Sequence, residues 1–113
     1  MAKLTPKEIE THYDEVFKNL GHYTKLHIEI IKILIPEMEK YLKNALTVKG
    51  LSKYYCFGSD FLIEKSGIDS SIVFEILNDF VKDGLVIFST RLPEAIVYCM
   101  TDRGIYCLRR LIS

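Results

Sequence analysis

The chain has 113 residues, of which 49% are hydrophobic and 27% are charged. That is enough for one domain with a hydrophobic core and too little for two domains with a linker. Fifteen basic residues balance fifteen acidic ones, which excludes a polybasic protein that binds nucleic acid or membranes by bulk charge alone. No apolar run is long enough to cross a membrane or resembles a signal peptide, so we expect an intracellular, cytoplasmic protein.

Two features of the composition indicate the kind of source. The chain holds fourteen isoleucines, eleven lysines against four arginines, three asparagines and no glutamine. Few amide side chains with many lysines are typical of thermophile proteins. Its three cysteines, Cys56, Cys99 and Cys107, form no C-x-x-C pair, and in an intracellular protein we expect such cysteines to be buried free thiols.

The first half of the chain predicts helices. Thr5, Pro6 and Glu8 form a helix start with a capping box, and residues 1–21 are predicted to be an added N-terminal helix that ends at Gly21. Residues 22–53 are predicted to hold a central helix or helices and a loop. Its first part is apolar on two faces, which predicts burial on two sides, and Pro36 is expected to kink or end it.

Residues 54–113 predict helices and short strands in alternation. A strand over 54–57 is followed by a helix over 59–66, capped by Ser59 or Asp60, and Gly67 ends that helix. Asp69 or Ser70 caps a second helix, which ends at Gly84. Strands over 85–88 and 95–100, joined by a hairpin loop over 89–94, lead to a final helix capped by Thr101.

This order of elements is that of a winged helix. Two helices joined by a three-residue turn at Gly67 form a helix-turn-helix, and a two-stranded hairpin follows at once. We therefore predict a single α+β domain over 1–113, mostly α with a small β-sheet: a winged helix-turn-helix with an additional N-terminal helix and a winged-helix core over 54–113.

The sequence of this second half resembles a known family. The segments 59–71, 78–86 and 98–104 are similar to the helix-turn-helix, the end of the recognition helix with the start of the wing, and the last wing strand of MarR-like and PadR-like regulators. The likeness covers roughly Tyr54 to Ile112. Small winged helices that are rich in isoleucine and lysine are common in archaea and their viruses.

The resemblance implies a sequence-specific DNA-binding transcription regulator. Its recognition helix, about 70–83, would enter the major groove, and its wing, about 85–100, would contact phosphate or the minor groove. Asn78 would pair with adenine, Glu75 would accept from cytosine, and Ile72 and Phe74 would meet thymine methyl groups. The residues implied in DNA binding are Lys65, Ser70, Ser71, Ile72, Phe74, Glu75, Asn78 and Arg91.

The charge of this region departs from the family. From Ser59 to Asp83 there are six acidic residues and two basic ones, a net charge of −4, and phosphate repels such a surface. The alternative is a winged-helix protein–protein interaction module whose acidic helix face binds a basic partner. Spaced lysines over 40–53 and three arginines in the last helix carry the positive charge elsewhere.

Other classes of site find little support in the sequence. His12, His22 and His27 are not spaced as a helical metal site, the six glycines stand alone, and no catalytic motif is present. We therefore expect no enzyme, cofactor or metal, and we infer no small-molecule ligand. If the first strand pairs with the third, Cys56 and Cys99 are neighbours, so a disulfide is the alternative to free thiols. The apolar stripe of the N-terminal helix indicates a homodimer.

Overall fold

The computed structural model describes residues 5–47, 55–91 and 96–113. In chain order the helices and strands of these residues are α1 (Pro6–Lys18), α2 (Lys25–Thr47), β1 (Cys56–Gly58), α3 (Ser59–Ser66), α4 (Ser70–Lys82), β2 (Val86–Arg91), β3 (Ile96–Met100) and α5 (Asp102–Leu111). The structure is mostly helical, with a small antiparallel sheet and a winged-helix-like α+β layout, as the sequence predicts.

The sheet has the order β1-β3-β2, with both outer strands antiparallel to β3. The predicted pairing of the first strand with the third is confirmed. β2 extends to Arg91, although a loop was predicted from Ser89 onwards. The register shifts between Phe88 and Thr90, which are paired with neighbouring residues of β3. A bulge at Ser89 thus lets the ladder continue beyond the predicted end of the strand.

The prediction of free thiols is wrong for two of the three cysteines. Cys56 and Cys99 face each other in the register of β1 and β3 and form a disulfide, whereas Cys107 is free and buried. Side chains alternate between the two faces of a strand. Phe57 therefore enters the core, and Cys56 lies exposed on the outer face of the sheet.

α2 is one continuous helix, and Pro36 does not end it. Proline removes one helical hydrogen bond, that to the carbonyl group of Lys32. Both Pro36 and Lys32 are exposed, so water can satisfy that carbonyl group. The opposite side of α2 is in the core, and the buried residues there are Ile30, Ile31, Leu34, Ile35 and Met38.

α1 packs mainly against α5 of the same chain. The rings of Tyr13 and Tyr106 lie 5.4 Å apart, and the Tyr106 hydroxyl donates to Asp14 at 2.7 Å. No residue of α1 is fully buried, and Ile9 is 36% exposed. α1 is thus an outer helix that contacts α5 through Tyr13 and Asp14 and packs the half-buried Val16 and Phe17 against the core.

The predicted helix caps are confirmed at three of four positions. The side chains of Thr5, Asp69 and Thr101 accept from backbone N–H groups at the starts of α1, α4 and α5. At α3 the cap is Gly58, which offers no side chain. Ser59 instead accepts a hydrogen bond from the backbone N–H of Ile96 at 3.3 Å, which ties α3 to β3.

None of the helices in the described ranges is long and apolar enough to cross a membrane.

Candidate nucleic-acid interface

The candidate interface is built on the pair α3 and α4. α3 ends at Gly67, whose φ of 68° is the left-handed conformation that glycine adopts without a steric cost. Three residues later α4 begins behind Asp69, which accepts from the backbone N–H of Ser71 at 2.9 Å. The side chains that close the corner are buried: Leu62, Val73, Ile76, Leu77 and Phe80.

The outer side of α4 presents a polar stripe. Ser71, Glu75 and Asn78 are spaced four and three residues apart, so they lie on one side of the helix, and all three are exposed. Ser70 is exposed at the start of α4, and Lys65 is exposed near the end of α3. The structure thus leaves five of the predicted contact residues open to solvent beside the turn. We call Ser70, Ser71, Glu75 and Asn78 the α4 face.

Two predicted contact residues are less available. Ile72 is half-buried and packs against the hydrophobic core, so its assignment to the outer face is wrong. Phe74 is half-buried as well. Both residues lie between the buried and the exposed sides of α4. Their burial depends on which elements pack beside the helix, and the spacing of residues in α4 does not predict this.

Asp79 of α4 is hydrogen-bonded to a residue of α2. Its Oδ2 lies 2.7 Å from Nε2 of His27, a residue that is only 8% exposed. Nδ1 of His27 accepts from the backbone N–H of Thr24 at 3.1 Å. Thr24 directly precedes α2 and His27 is its third residue, so His27 bonds back to the helix start as the glutamate of a capping box does. Oγ1 of Thr24 lies 2.8 Å from the same Nδ1.

A second carboxylate of α4 is bound in the same way. The Tyr23 hydroxyl donates to Asp83, the residue that ends α4, at 2.5 Å, and the ring of Tyr23 stacks on His27. Burial, with the hydrogen bond to Asp83, raises the pKa of Tyr23 above its usual range, so the phenol stays protonated. We call Tyr23, His27, Asp79 and Asp83 the α2–α4 cluster.

This cluster has only a weak signal in the amino-acid sequence. Asp79 and Asp83 are spaced as neighbours on one side of a helix, but their partners lie 52 and 60 residues away along the chain. The consequence for the candidate interface is electrostatic. Both carboxylates lie on the side of α4 that faces α2, and Asp69 is engaged in capping. On the α4 face itself, Glu75 is the one acidic residue.

The wing exposes apolar side chains on β2 and ends in an arginine. Ile87 and Phe88 of β2 are each 54% exposed. Arg91 is the last residue of β2 and pairs with Ile96, but its side chain and residues 92–95 lie outside the described residues. The backbone of Arg91 therefore lies at the hairpin end of β2, and the DNA contact of its side chain stays a prediction.

The positive charge found elsewhere in the sequence is partly neutralised. In α5, Arg109 forms a two-bond ion pair with Glu39, and Arg110 lies near Asp14 and over the ring of Tyr106. Lys40 and Lys43 of α2 are exposed. Residues 48–54, which include Lys49 and Lys53, lie outside the described residues.

Within the described residues, no group of three histidine, cysteine or acidic side chains is arranged to hold a metal ion. No protein-family model, curated protein or solved structure matches this chain.

Proposed function

We propose that this protein is a sequence-specific DNA-binding transcription regulator, with α4 in the major groove and the β2–β3 hairpin beside it. The observation that carries this proposal is the exposed α4 face, which directly follows the turn at Gly67. In helix-turn-helix proteins the N-terminal part of the second helix contacts base edges. Here that part carries short polar side chains on a rigid, well-capped helix.

Each member of the α4 face has a chemical role in such a complex. Ser70, at the N-terminus of α4, offers a hydroxyl group to phosphate. The hydroxyl group and the backbone N–H of Ser71 are bonded to Asp69, so Ser71 contributes the position of its side chain beside the bases. Asn78 has the donor and acceptor that match the N6 and N7 groups of adenine, and Glu75 can accept from N4 of cytosine. Lys65, at the end of α3, supplies a positive charge close to the turn.

The α2–α4 cluster places two of the negative charges on the side of α4 that faces α2, although it does not neutralise them. A net charge of −4 over the helix-turn-helix argues against contact with phosphate. Asp79 and Asp83 are, however, held against α2 by hydrogen bonds to His27 and Tyr23. The remaining acidic residue on the α4 face is Glu75, whose carboxylate would accept a hydrogen bond from N4 of cytosine in the major groove.

The test is fluorescence anisotropy with labelled duplexes from a random library, titrated at several salt concentrations. We expect the logarithm of the affinity to fall linearly with the logarithm of salt concentration, with a slope of about −0.9 for each phosphate contacted. Lys65→Ala should reduce that slope. Lys7→Ala is the matched control, because Lys7 is exposed on α1, which packs against α5. No binding to any duplex at low salt would refute the proposal.

Base reading and backbone contact are separated by two further variants. Asn78→Ala should relax the sequence preference, at a cost of about 1–3 kcal/mol in base discrimination. Arg91→Ala should weaken binding about equally for all sequences, because a wing arginine contacts phosphate or a narrow minor groove. Unchanged affinity and specificity in both variants would contradict the assignment of α4 and the wing.

A second candidate function is a protein-interaction module. Asp60 and Glu64 are exposed one turn apart on α3, and Glu75 is exposed on α4. These carboxylates form an acidic surface that suits a basic partner protein. The salt titration distinguishes the two functions, since this module would show no affinity for DNA.

We further propose a homodimer that reads two half-sites about one DNA turn apart. α1 has no fully buried residue, and Ile9 stays 36% exposed on it, so this outer helix offers apolar surface to a second copy. Light scattering at tens of micromolar tests this proposal, because a mass of 13.1 kDa would identify a monomer.

A further inference from the structure

A groove on the far side of the sheet from the core has the features of a ligand site. It has a volume of about 710 Å³ and lies between the sheet, the start of α5 and α1. This volume is in the range of pockets that hold small molecules. The groove takes most of its surface from apolar groups, which include Tyr13, Ile87, Met100 and the Cys56–Cys99 disulfide.

One cation lines this groove without a counter-ion. Arg103 is half-buried, and among the described residues no carboxylate pairs with it, whereas Arg109 and Arg110 of the same helix lie beside Glu39 and Asp14. Its NH2 group bonds to Nε2 of His12 at 2.9 Å, and its Nε is buried without a hydrogen-bond partner. The buried Nε is closed to a ligand, so an anion in the groove would meet the terminal nitrogens of the guanidinium group.

Gly84 lies beside the guanidinium group of Arg103. Gly84 has a φ of 74°, and a Cβ at this position would lie 2.5 Å from NH1 of Arg103. Glycine is therefore favoured here by its positive φ. The end of the Arg103 side chain lies close to the backbone of Gly84, at the edge of the groove.

The groove also contains a negative charge that the ligand must tolerate. Asp102 lines it, but the side chain is exposed at the first position of α5, so water reduces its repulsion of an anion without removing it. Arg103 is half-buried and less screened. The local balance therefore favours an anion near Arg103.

We propose that this groove binds a small organic carboxylate with an apolar body, its carboxylate on Arg103 and its apolar part against Ile87 and the disulfide. The groove contains no residue of the α4 face, although Ile87 and Ser89 belong to the wing, so ligand binding is measured without DNA. Arginine and carboxylate form paired hydrogen bonds that a neutral amide of the same shape cannot reproduce. The chemistry of the head group is thus the feature that the site selects.

The experiment uses the full chain, labelled with ¹⁵N, and two probes of equal length: octanoate and its neutral counterpart octanamide. We expect octanoate to bind saturably, to shift the amide signals of Ile87, Cys99 and Arg103, and to bind about ten-fold more tightly than octanamide, because a charge-assisted hydrogen bond is lost with the amide. Equal affinities of the two probes, or shifts confined to another surface, would overturn the proposal.

Three variants locate the head group. Arg103→Met should lower octanoate affinity to that of octanamide, and Arg109→Met, on the same helix, is the matched control that should leave it unchanged. Asp102→Asn alters an exposed side chain that makes no described contact, and it should tighten octanoate binding several-fold. The affinity of Asp102→Asn for octanoate tests whether the bound head group is an anion, even if Arg103→Met fails to fold. Unchanged octanoate affinity in Asp102→Asn and in a folded Arg103→Met would contradict the site.

Discussion

His27 and Asp79 join the first turn of α2 to the last turn of α4 through one hydrogen bond of 2.7 Å. Because the backbone N–H of Thr24 donates to Nδ1 of His27, that nitrogen carries a lone pair and Nε2 carries the proton. His27 is therefore a neutral donor to the Asp79 carboxylate. One buried side chain both caps α2 and fixes the end of α4 that lies away from the turn at Gly67.

The first prediction concerns this side chain. His27→Ala removes a cap, a buried hydrogen bond and the stacking partner of Tyr23, so it should lower the free energy of unfolding by about 2–3 kcal/mol. The control is His22→Ala, because His22 is exposed and lies 3.9 Å from Asp83, and it should cost at most about 0.5 kcal/mol. Urea unfolding measures both. Equal losses would show that the α2–α4 cluster does not fix the two helices.

The disulfide gives a second prediction. Cys56 and Cys99 are 43 residues apart, and the loop that they close contains all of α3, α4 and β2. For a loop of this length the chain-entropy model gives a stabilisation of about 4 kcal/mol. The double variant Cys56→Ser/Cys99→Ser should lose up to this amount in urea unfolding.

A chemical reductant provides the control for that variant. It should destabilise the wild-type protein by the same amount and leave the double variant unchanged. If the reductant has no effect on the wild type, Cys56 and Cys99 are not joined in solution.

The turn between α3 and α4 gives a third prediction. Gly67 has a φ of 68° and no atom within 4 Å of a Cβ placed there, so the cost of Gly67→Ala is one of backbone conformation alone. That cost is about 1–2 kcal/mol. Gly21→Ala is the control, since Gly21 is equally uncrowded and has no positive φ. Thermal unfolding should show a lower Tm for Gly67→Ala only, and equal Tm values would contradict the left-handed turn.

Gly104 gives a fourth prediction: replacing this helical glycine with alanine should destabilise the protein, although such a replacement usually stabilises a helix. It lies in the first turn of α5, where alanine is ordinarily preferred over glycine by about 1 kcal/mol. A Cβ here would lie 1.8 Å from the carbonyl oxygen of Leu85, which is backbone and has little room to move. Gly104→Ala should therefore destabilise the protein by at least about 2 kcal/mol in urea unfolding. Stabilisation would show that α5 does not pack this closely on the start of β2.

Local signals predicted much of the fold. Thr5, Asp69 and Thr101 cap helices as expected, because a cap depends on residues within one turn of it. The positions of Ser70, Ser71, Glu75 and Asn78 on an exposed surface follow from helical spacing against a buried stripe in α4.

Features that depend on distant parts of the chain were not predicted. The contact of α1 with α5 joins residues about ninety positions apart, and the His27–Asp79 pair spans 52. Pro36 remains inside α2 because the tertiary contacts of Ile30, Leu34 and Met38 outweigh one lost hydrogen bond, which no local rule reveals. The outer-face disulfide required the register of β1 against β3, which alternation alone does not fix.

The central claim is that the α4 face reads DNA, and amide signals report on it most directly. The ¹⁵N-labelled full chain is titrated with the duplex that it selects from a random library. We predict the largest shifts at Ser70, Ser71, Glu75 and Asn78, with smaller ones in β2, and no shifts in α1. Shifts centred on α1 and α5, with the α4 signals unchanged, would contradict the claim.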